Sequence, residues 1–335
     1  MNIAQIFLLL VNVFLLTAIG SYFWVKRMRQ IRFLWEDMNK YNHPKNVAAS
    51  GGVVVVLIFI FGIFLYTSLE IFFNKFSSHS LEILAIVSTI LFLAIVGIID
   101  DFLGWKKGGL SIKLRLFLAI LGAIPLIIIS MEKSSINLPF FGLTNVGLLY
   151  PLFFVPLGIV GAATTYNFLA GYNGLESSQG IIILTFLSYV AYVTGSSWLL
   201  VIGLTMVSSL LGFYIFNKNP AKVFPGDSLT WSIGALIGGM SIIGNFEKLA
   251  AFVFTPYIIE TVLKLKGKLK KHSFGKPNKD GSLEMPYDKI YGLEHLAIKM
   301  LKSIKPSRKA YEKEVVYLIN AFQIIIIIIG FVIFL

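Results

Sequence analysis

The chain alternates between long apolar runs and short polar joints. Segments such as IAQIFLLLVNVFLLTAIGSYFWV, GGVVVVLIFIFGIFLY and AFQIIIIIIGFVIFL carry no charge, and runs of this kind recur from end to end. A helix needs about 20 apolar residues to cross the hydrocarbon core of a bilayer. The pattern predicts about ten membrane helices, at residues 3–25, 47–69, 82–100, 114–131, 146–166, 180–196, 198–216, 229–244, 248–264 and 315–335. The sixth and seventh are nearly continuous, so nine or eleven also satisfy the pattern. The first run is too long for a signal-peptide core and lacks a basic leader or a small-residue cleavage site, so it reads as a span. No internal repeat is found. The fold expected is an all-α polytopic membrane protein, one transmembrane domain over 1–335. A long cytoplasmic loop at 265–314 separates the last two spans, and helical periodicity returns within it at EHLAIKMLKSI.

Composition sharpens this reading. Hydrophobic residues make up 56% of the chain, charged residues 14%, and mean hydropathy is +0.80. Such a chain has too little polar surface for a soluble domain, which excludes a soluble nucleic-acid-binding role despite the net charge of +12. In a membrane protein a basic excess marks loops that face anionic headgroups. All 29 Lys and Arg except Lys75, Lys133 and Lys248 lie in or beside the loops after odd-numbered spans. The positive-inside rule makes that side cytoplasmic and points both termini outward. With no cysteine, disulfides, thiolate ligands and thiol nucleophiles are excluded.

Most of the unusual polar residues fall on the same side. Span three closes on GIIDDFLGW, which sets Asp100 and Asp101 at a predicted helix end where carboxylates oppose the macrodipole. Either water solvates that end, or the pair holds a divalent cation or a phosphate group. YNFLAGYNGLESSQG links spans five and six, with Gly171 and Gly174 permitting tight turns. Its Asn167, Asn173 and Glu176 offer oxygens suited to a hard cation or a nucleobase edge. In VFPGDSLTW, Asp227 opens span eight, where an aspartate is also a good N-cap. Alone each motif has a bland reading; three at neighbouring span mouths suggest one magnesium site for a phosphorylated substrate. The long loop adds KKHSFGKPNKDG, in which Lys271, His272 and Lys276 are cationic donors for phosphate oxygens, although most of its basic residues read as a solvated face. DMNKYNHPK contributes Asn39, Lys40 and Lys45 after span one.

Taken in order, these words resemble the polyprenyl-phosphate N-acetylhexosamine-1-phosphate transferase superfamily over nearly the whole chain. NFLAGYNGLE, FPGDS and GSLEMPYDK are most similar to its eukaryotic and archaeal UDP-GlcNAc:dolichyl-phosphate branch. The DGLDG-type turn and histidine-rich last loop of the bacterial peptidoglycan branch are missing. The resemblance implies that Asn167 and Asp227 ligate Mg2+, with Mn2+ able to substitute, beside a lipid phosphate next to Asp100 and Asp101. It implies that Asn173 contacts uracil in the turn that holds Gly171 and Glu176. Arg115, or failing it Lys113, matches a diphosphate-binding lysine, and Lys40 and Lys45 lie near the acceptor phosphate. Two positions depart from the family: Ala49 in VAASGG, and Ser273, where eukaryotic members carry an arginine. His272 and Lys276 are expected to share that arginine's role.

The activity implied is transfer of GlcNAc-1-phosphate from UDP-GlcNAc to a dolichyl or other polyprenyl phosphate, releasing UMP at the membrane. Direct displacement and a phospho-Asp intermediate at Asp100 or Asp101 both stay open. Undecaprenyl phosphate or another UDP-HexNAc is the alternative within the class, and a homodimer is compatible with it. A cation-coupled transporter is the alternative outside it, although transporter sites lie near the bilayer midplane.

Overall fold

The computed structural model describes residues 2–74, 79–138 and 142–335, so Lys75 falls outside the described residues. The chain opens with α1 (Ile3–Gln30), a hairpin of β1 (Leu34–Glu36) and β2 (Lys45–Ala48), then α2 (Gly52–Asn74) and α3 (Ser80–Lys107). α4 (Ile112–Gly122) and α5 (Ile124–Ile129) follow, with a second hairpin, β3 (Ser135–Leu138) and β4 (Gly142–Asn145). A π-helical turn, Tyr150–Phe154, leads into α6 (Val155–Phe168). Then come α7 (Leu175–Val193), α8 (Ser197–Asn217), α9 (Asp227–Ile243), α10 (Glu247–Val253) and α11 (Thr255–Lys266). The last part holds β5 (Lys276–Pro277), β6 (Ser282–Glu284), α12 (Leu293–Ile304), β7 (Ala310–Tyr311) and α13 (Glu312–Phe334).

Among the described residues, seven helical segments are long and apolar enough to cross a membrane: 3–30, 52–73, 80–105, 112–129, 150–168, 197–217 and 312–334. The other three expected spans correspond to α7, α9 and the broken pair α10–α11. Their composition has a physical reason. α9 is buried along nearly its whole length, and α7 along most of it. A helix sheathed by protein needs no apolar face for lipid and tolerates Ser, Gln and Gly. The outer helices show the complement, with Phe7, Phe61, Ile95, Ile128 and Ile328 exposed. α7 and α8, nearly fused in the hydropathy pattern, are separated at Thr194–Ser196, where Gly195 takes a left-handed φ of 85°.

Two other expectations change. The Asp100–Asp101 pair does not end its helix, because α3 runs on to Lys107. The extension is held by aromatic packing: Phe33 stacks on Phe102 at 4.9 Å and meets Trp105 edge-on at 5.1 Å. Nor is the chain purely helical. The long loop folds into a small antiparallel sheet, β5–β6–β7, beside amphipathic α12. The turn Asn278–Gly281 makes the first hairpin there; Asp280 accepts the Ser282 backbone N–H at 3.0 Å and pairs with Lys309 at 2.6 Å. Lys309 and Ser282 hold the Asp280 carboxyl below its ordinary range.

Small residues set the helix spacing, as is common in membrane bundles. α1, α2 and α8 meet where Thr17 and Ser209 share a hydrogen bond of 2.9 Å and Ser209 donates to the Val55 carbonyl at 3.0 Å. α6 and α9 touch at Gly234, where a Cβ would stand 2.5 Å from the Ala162 oxygen. At the far end of α9, Lys133 donates to the carbonyls of Ile242 (3.0 Å) and Ile243 (3.3 Å). Partial burial lowers the Lys133 pKa below its ordinary value. Lys133 and Asp227 therefore sit at opposite ends of a helix about 25 Å long.

Gly234→Val is expected to destabilise the bundle by about 1–3 kcal/mol through overpacking against a backbone that cannot retreat. Gly161→Ala, on the same helix pair but with open space around the added methyl, is expected to be near neutral. Thermal unfolding midpoints of the two variants in detergent check this; equal midpoints would mean that the α6–α9 approach does not limit packing.

Candidate active site

α3, α4, α6 and α9 bring three of the sequence motifs and Arg115 together. Asp101 on α3 accepts the backbone N–H of Asp227 at 2.9 Å, so the first turn of α9 is capped from another helix. Asp227 is therefore not the N-cap of its own helix, and its carboxylate is turned to other partners. Asn167, near the end of α6, donates to Asp227 Oδ1 at 2.8 Å and to Thr230 Oγ1 at 2.8 Å. Arg115 on α4 stands between two carboxylates, 3.0 Å from Asp100 Oδ2 and 3.6 Å from Asp227 Oδ2. Asp100 also accepts the Leu110 N–H at 2.5 Å.

Two glycines make this approach feasible. A Cβ on Gly97 would lie 2.5 Å from the backbone of Asp227, and one on Gly226, whose φ is 72°, would lie 2.2 Å from Asp101 Oδ2. A side chain at either position would push α3 and α9 apart.

Asp101, Asn167 and Asp227 line one wall of a cavity of ≈ 660 Å³. A second wall carries Gly171, Glu176 and Phe274, which touch one another through Gly171, and Trp35 and Trp105 add apolar surface. Asp100 and Arg115 support the carboxylate wall from the side. Gly171, at φ 100°, lets the Phe274 ring close over it; an added Cβ would stand 2.6 Å from that ring. Glu176 is buried in the first turn of α7, accepts the Gly171 N–H at 2.8 Å, and leaves Oε2 without a hydrogen-bond partner. Lys45 and His272 reach the cavity rim.

The remaining candidates lie elsewhere. Asn173 is buried behind the cavity wall, its amide donating to Asp37 at 3.0 Å. Lys40 is paired with Glu312. Lys113 and Lys276 are exposed and do not line the cavity. Ser273 does not face the cavity as an arginine substitute would; it is buried and bonded to Lys264. Behind it Glu294 is fully buried beside Glu260, and burial with that second carboxylate raises its pKa well above the ordinary value. Burial and the Lys264 charge lower the neighbouring His295 to about 4, so it stays neutral near pH 7. Tyr172 pins this part of the loop: its hydroxyl accepts the Gly275 N–H at 3.0 Å, and burial pushes its pKa well up. A second hollow of ≈ 640 Å³ lies across Pro286 and Tyr287, between the loop sheet and α12, away from the carboxylates.

Sequence reasoning missed the aromatic wall of Trp35, Trp105 and Phe274, and it missed Glu312. Trp105 lies four residues after the acid pair, a readable clue; Glu312 at the head of an apolar helix looks like an ordinary terminal acid.

The carboxylate wall suits a hard divalent cation. Its donors are oxygens, and Asp101 Oδ2 is buried with no hydrogen-bond partner. Among the described residues no three His, Cys, Asp or Glu side chains already form a metal cluster. Magnesium does not require one, because it usually takes one or two carboxylates and completes its shell with waters and substrate phosphates.

Fold and site thus define a polytopic membrane protein whose carboxylates, an amide and an arginine meet at one cavity. Residues 83–245, which include Asp100, Asp101, Arg115, Asn167 and Asp227, match the model of glycosyl transferase family 4. A protein of Saccharolobus solfataricus, provisionally named a UDP-N-acetylglucosamine–dolichyl-phosphate N-acetylglucosaminephosphotransferase, is 33% identical over 302 residues, 90% of each chain. A protein of Sulfolobus acidocaldarius with the same provisional name is 32% identical over 86% of each chain. A phospho-N-acetylmuramoyl-pentapeptide-transferase of Streptococcus pyogenes is 30% identical over 77% of each. The chain belongs to glycosyl transferase family 4, within the polyprenyl-phosphate N-acetylhexosamine-1-phosphate transferases, and is a membrane sugar-phosphate transferase.

Asp227→Asn keeps the side chain's shape and removes its charge. It is expected to lower transfer activity by at least about two orders of magnitude, as for loss of a central electrostatic contact, while the protein elutes as wild type in size-exclusion chromatography. Near-normal turnover would remove Asp227 from the site.

Proposed function

We propose that this protein transfers GlcNAc-1-phosphate from UDP-GlcNAc to a polyprenyl phosphate of the dolichyl type, releasing UMP and forming lipid-diphosphate-GlcNAc. The observation that carries the reading is the meeting of Asp101, Asn167 and Asp227, backed by Arg115, on one wall of the cavity that Gly171 and Glu176 close on the other. The archaeal relatives that align over 86–90% of the chain bear names for this reaction. Family membership stands against the transporter alternative.

In the proposed reaction a lipid-phosphate oxygen attacks the β-phosphorus of the nucleotide. A new P–O bond forms, the bond from the β-phosphorus to the bridging oxygen breaks, and UMP departs with that electron pair. Little covalent work falls to the protein; positioning and charge neutralisation dominate such transfers. Asp101 and Asp227, with Asn167 after a half-turn of its carboxamide, would hold Mg2+, which when bound neutralises charge on the phosphates. Arg115 is placed to shift from Asp100 and Asp227 onto a diphosphate oxygen, the bidentate role its guanidinium suits. Lys45 and His272 would meet the phosphates from the rim. Both Asp100 oxygens are engaged, so a phospho-Asp route would run through Asp101, whose Oδ2 has no hydrogen-bond partner; direct displacement needs no protein nucleophile. Trp35 and Trp105 offer an apolar approach for a lipid.

We propose further that the site faces the cytoplasm, with ten spans and both termini outside. This rests on the distribution of Lys and Arg, on α7 and α9 acting as protein-sheathed spans, and on the broken pair α10–α11, whose Ile258, Val262 and Leu265 are exposed, acting as a further span.

Purified protein given UDP-GlcNAc, Mg2+ and dolichyl phosphate is expected to yield lipid-diphosphate-GlcNAc and UMP in equal amounts by mass spectrometry. EDTA is expected to abolish the product, and added Mg2+ or Mn2+ to restore it. Product from another UDP-HexNAc or from undecaprenyl phosphate alone would replace the substrate assignment; EDTA-insensitive turnover would remove the metal.

For topology, Lys279→Cys and Glu132→Cys place a lone thiol at exposed positions in a cysteine-free chain. In intact cells an impermeant thiol reagent is expected to label position 132 and to reach position 279 only after lysis. The opposite pattern would invert the orientation.

A further inference from the structure

Glu312 is the first residue of α13, where the long loop returns to the bundle. An acid at a helix start ordinarily serves its own helix, but Glu314 fills that role by accepting the Tyr311 N–H at 3.1 Å and pairing with Lys305 at 2.7 Å. The Glu312 side chain turns inward instead and is only 3% exposed. Its Oε1 accepts the Asn173 backbone N–H at 2.9 Å and lies 3.4 Å from the Asn39 amide. Its Oε2 accepts from the Asn219 amide at 2.6 Å and from Lys40. One buried carboxylate thus joins four stretches far apart in sequence: the β1–β2 turn, the α6–α7 turn, the α8–α9 connection and the end of the long loop.

The knot lies directly behind the cavity. Asn39 extends it by donating to the Gly171 carbonyl at 3.0 Å and accepting the Gly275 N–H at 3.2 Å. Gly171 lines the cavity in front, gives its N–H to Glu176, and supports Phe274. Gly171 and Gly275, the neighbour of Phe274, trace back to Glu312 through two hydrogen bonds, and Glu176 through one more.

We propose that Glu312 is the positioning residue for the nucleotide-sugar pocket, fixing the Gly171–Asn173 turn and the loop bearing His272 and Phe274 against one another. The inference rests on the functional reading above. Glu312 touches no reacting atom, and the carboxylate wall is built from α3, α6 and α9 without it. Its loss therefore loosens the donor side, His272 at the rim included, and leaves the Asp101, Asn167 and Asp227 contacts in place. Glutamine preserves its length but turns an amide donor toward donors that a carboxylate oxygen now accepts.

Glu312→Gln is expected to weaken UDP binding, measured by calorimetry in detergent, by about tenfold, the scale of one lost charge-assisted hydrogen bond. KM for UDP-GlcNAc is expected to rise in parallel, with kcat and KM for the lipid phosphate changing less than about twofold, a pattern of lost ground-state binding. Asn219→Ala removes a single donor to the same carboxylate and gives a milder probe, expected to weaken UDP binding about threefold, within the range for one hydrogen bond. Unchanged UDP affinity in folded Glu312→Gln, or in Asn219→Ala should the first variant not fold, would overturn the proposal. So would an equal loss for both substrates and kcat. Absence of UDP binding to the wild-type protein would instead overturn the functional reading, and this inference with it.

Discussion

The bond from the Asp227 backbone N–H to the Asp101 carboxylate joins α3 to the start of α9, and the site is arranged around it. A helix N-terminus carries unsatisfied N–H groups and a partial positive charge, so a carboxylate from a neighbouring helix is a favourable cap. A charge-assisted hydrogen bond of this kind contributes about 1.5–3 kcal/mol. The capping job is thereby taken from Asp227, whose own side chain is left to face Asn167 and Arg115. Gly97 and Gly226 are the steric condition for the bond, since a methyl group at either would occupy the contact.

Charge balance explains why the acids tolerate one another. Arg115 lies within 3.0 Å of Asp100 and 3.6 Å of Asp227, so among the described residues one guanidinium is ion-paired with two of the three carboxylates. A divalent cation and a diphosphate entering together would add partners of both signs, and Arg115 could then exchange a carboxylate for a phosphate at little cost. Among the described residues the carboxylates here outnumber their ion-paired cations, which suits binding that brings its own metal.

The long loop is a structural part of the pocket. Its α12 packs Glu294 against Glu260 and Lys264 of α11 as a compact polar group under Ser273, and Tyr172 pins Gly275 from the bundle. These contacts fix Phe274 and His272 at the cavity without using the exposed lysines. The Ser273 side chain points into that buried group, while His272 and Lys45 stand at the cavity.

The sequence by itself determined the membrane character, most span positions, the family, and the motif residues Asp100, Asp101, Asn167 and Asp227. Apolar periodicity and short polar words are local properties that lipid and phosphate chemistry constrain directly. It also marked Gly171 and Gly174 as turn positions, because glycine tolerates the left-handed φ that both adopt. Only the tertiary structure decided that α3 continues past its acid pair, since aromatic packing against Phe33 holds the extension. It placed Asn173 and Lys40 behind the pocket, left Lys276 and Lys113 in solvent, and gave Glu312 four partners from three distant turns. No local pattern encodes such contacts, because a carboxylate's partners depend on where the chain returns in space.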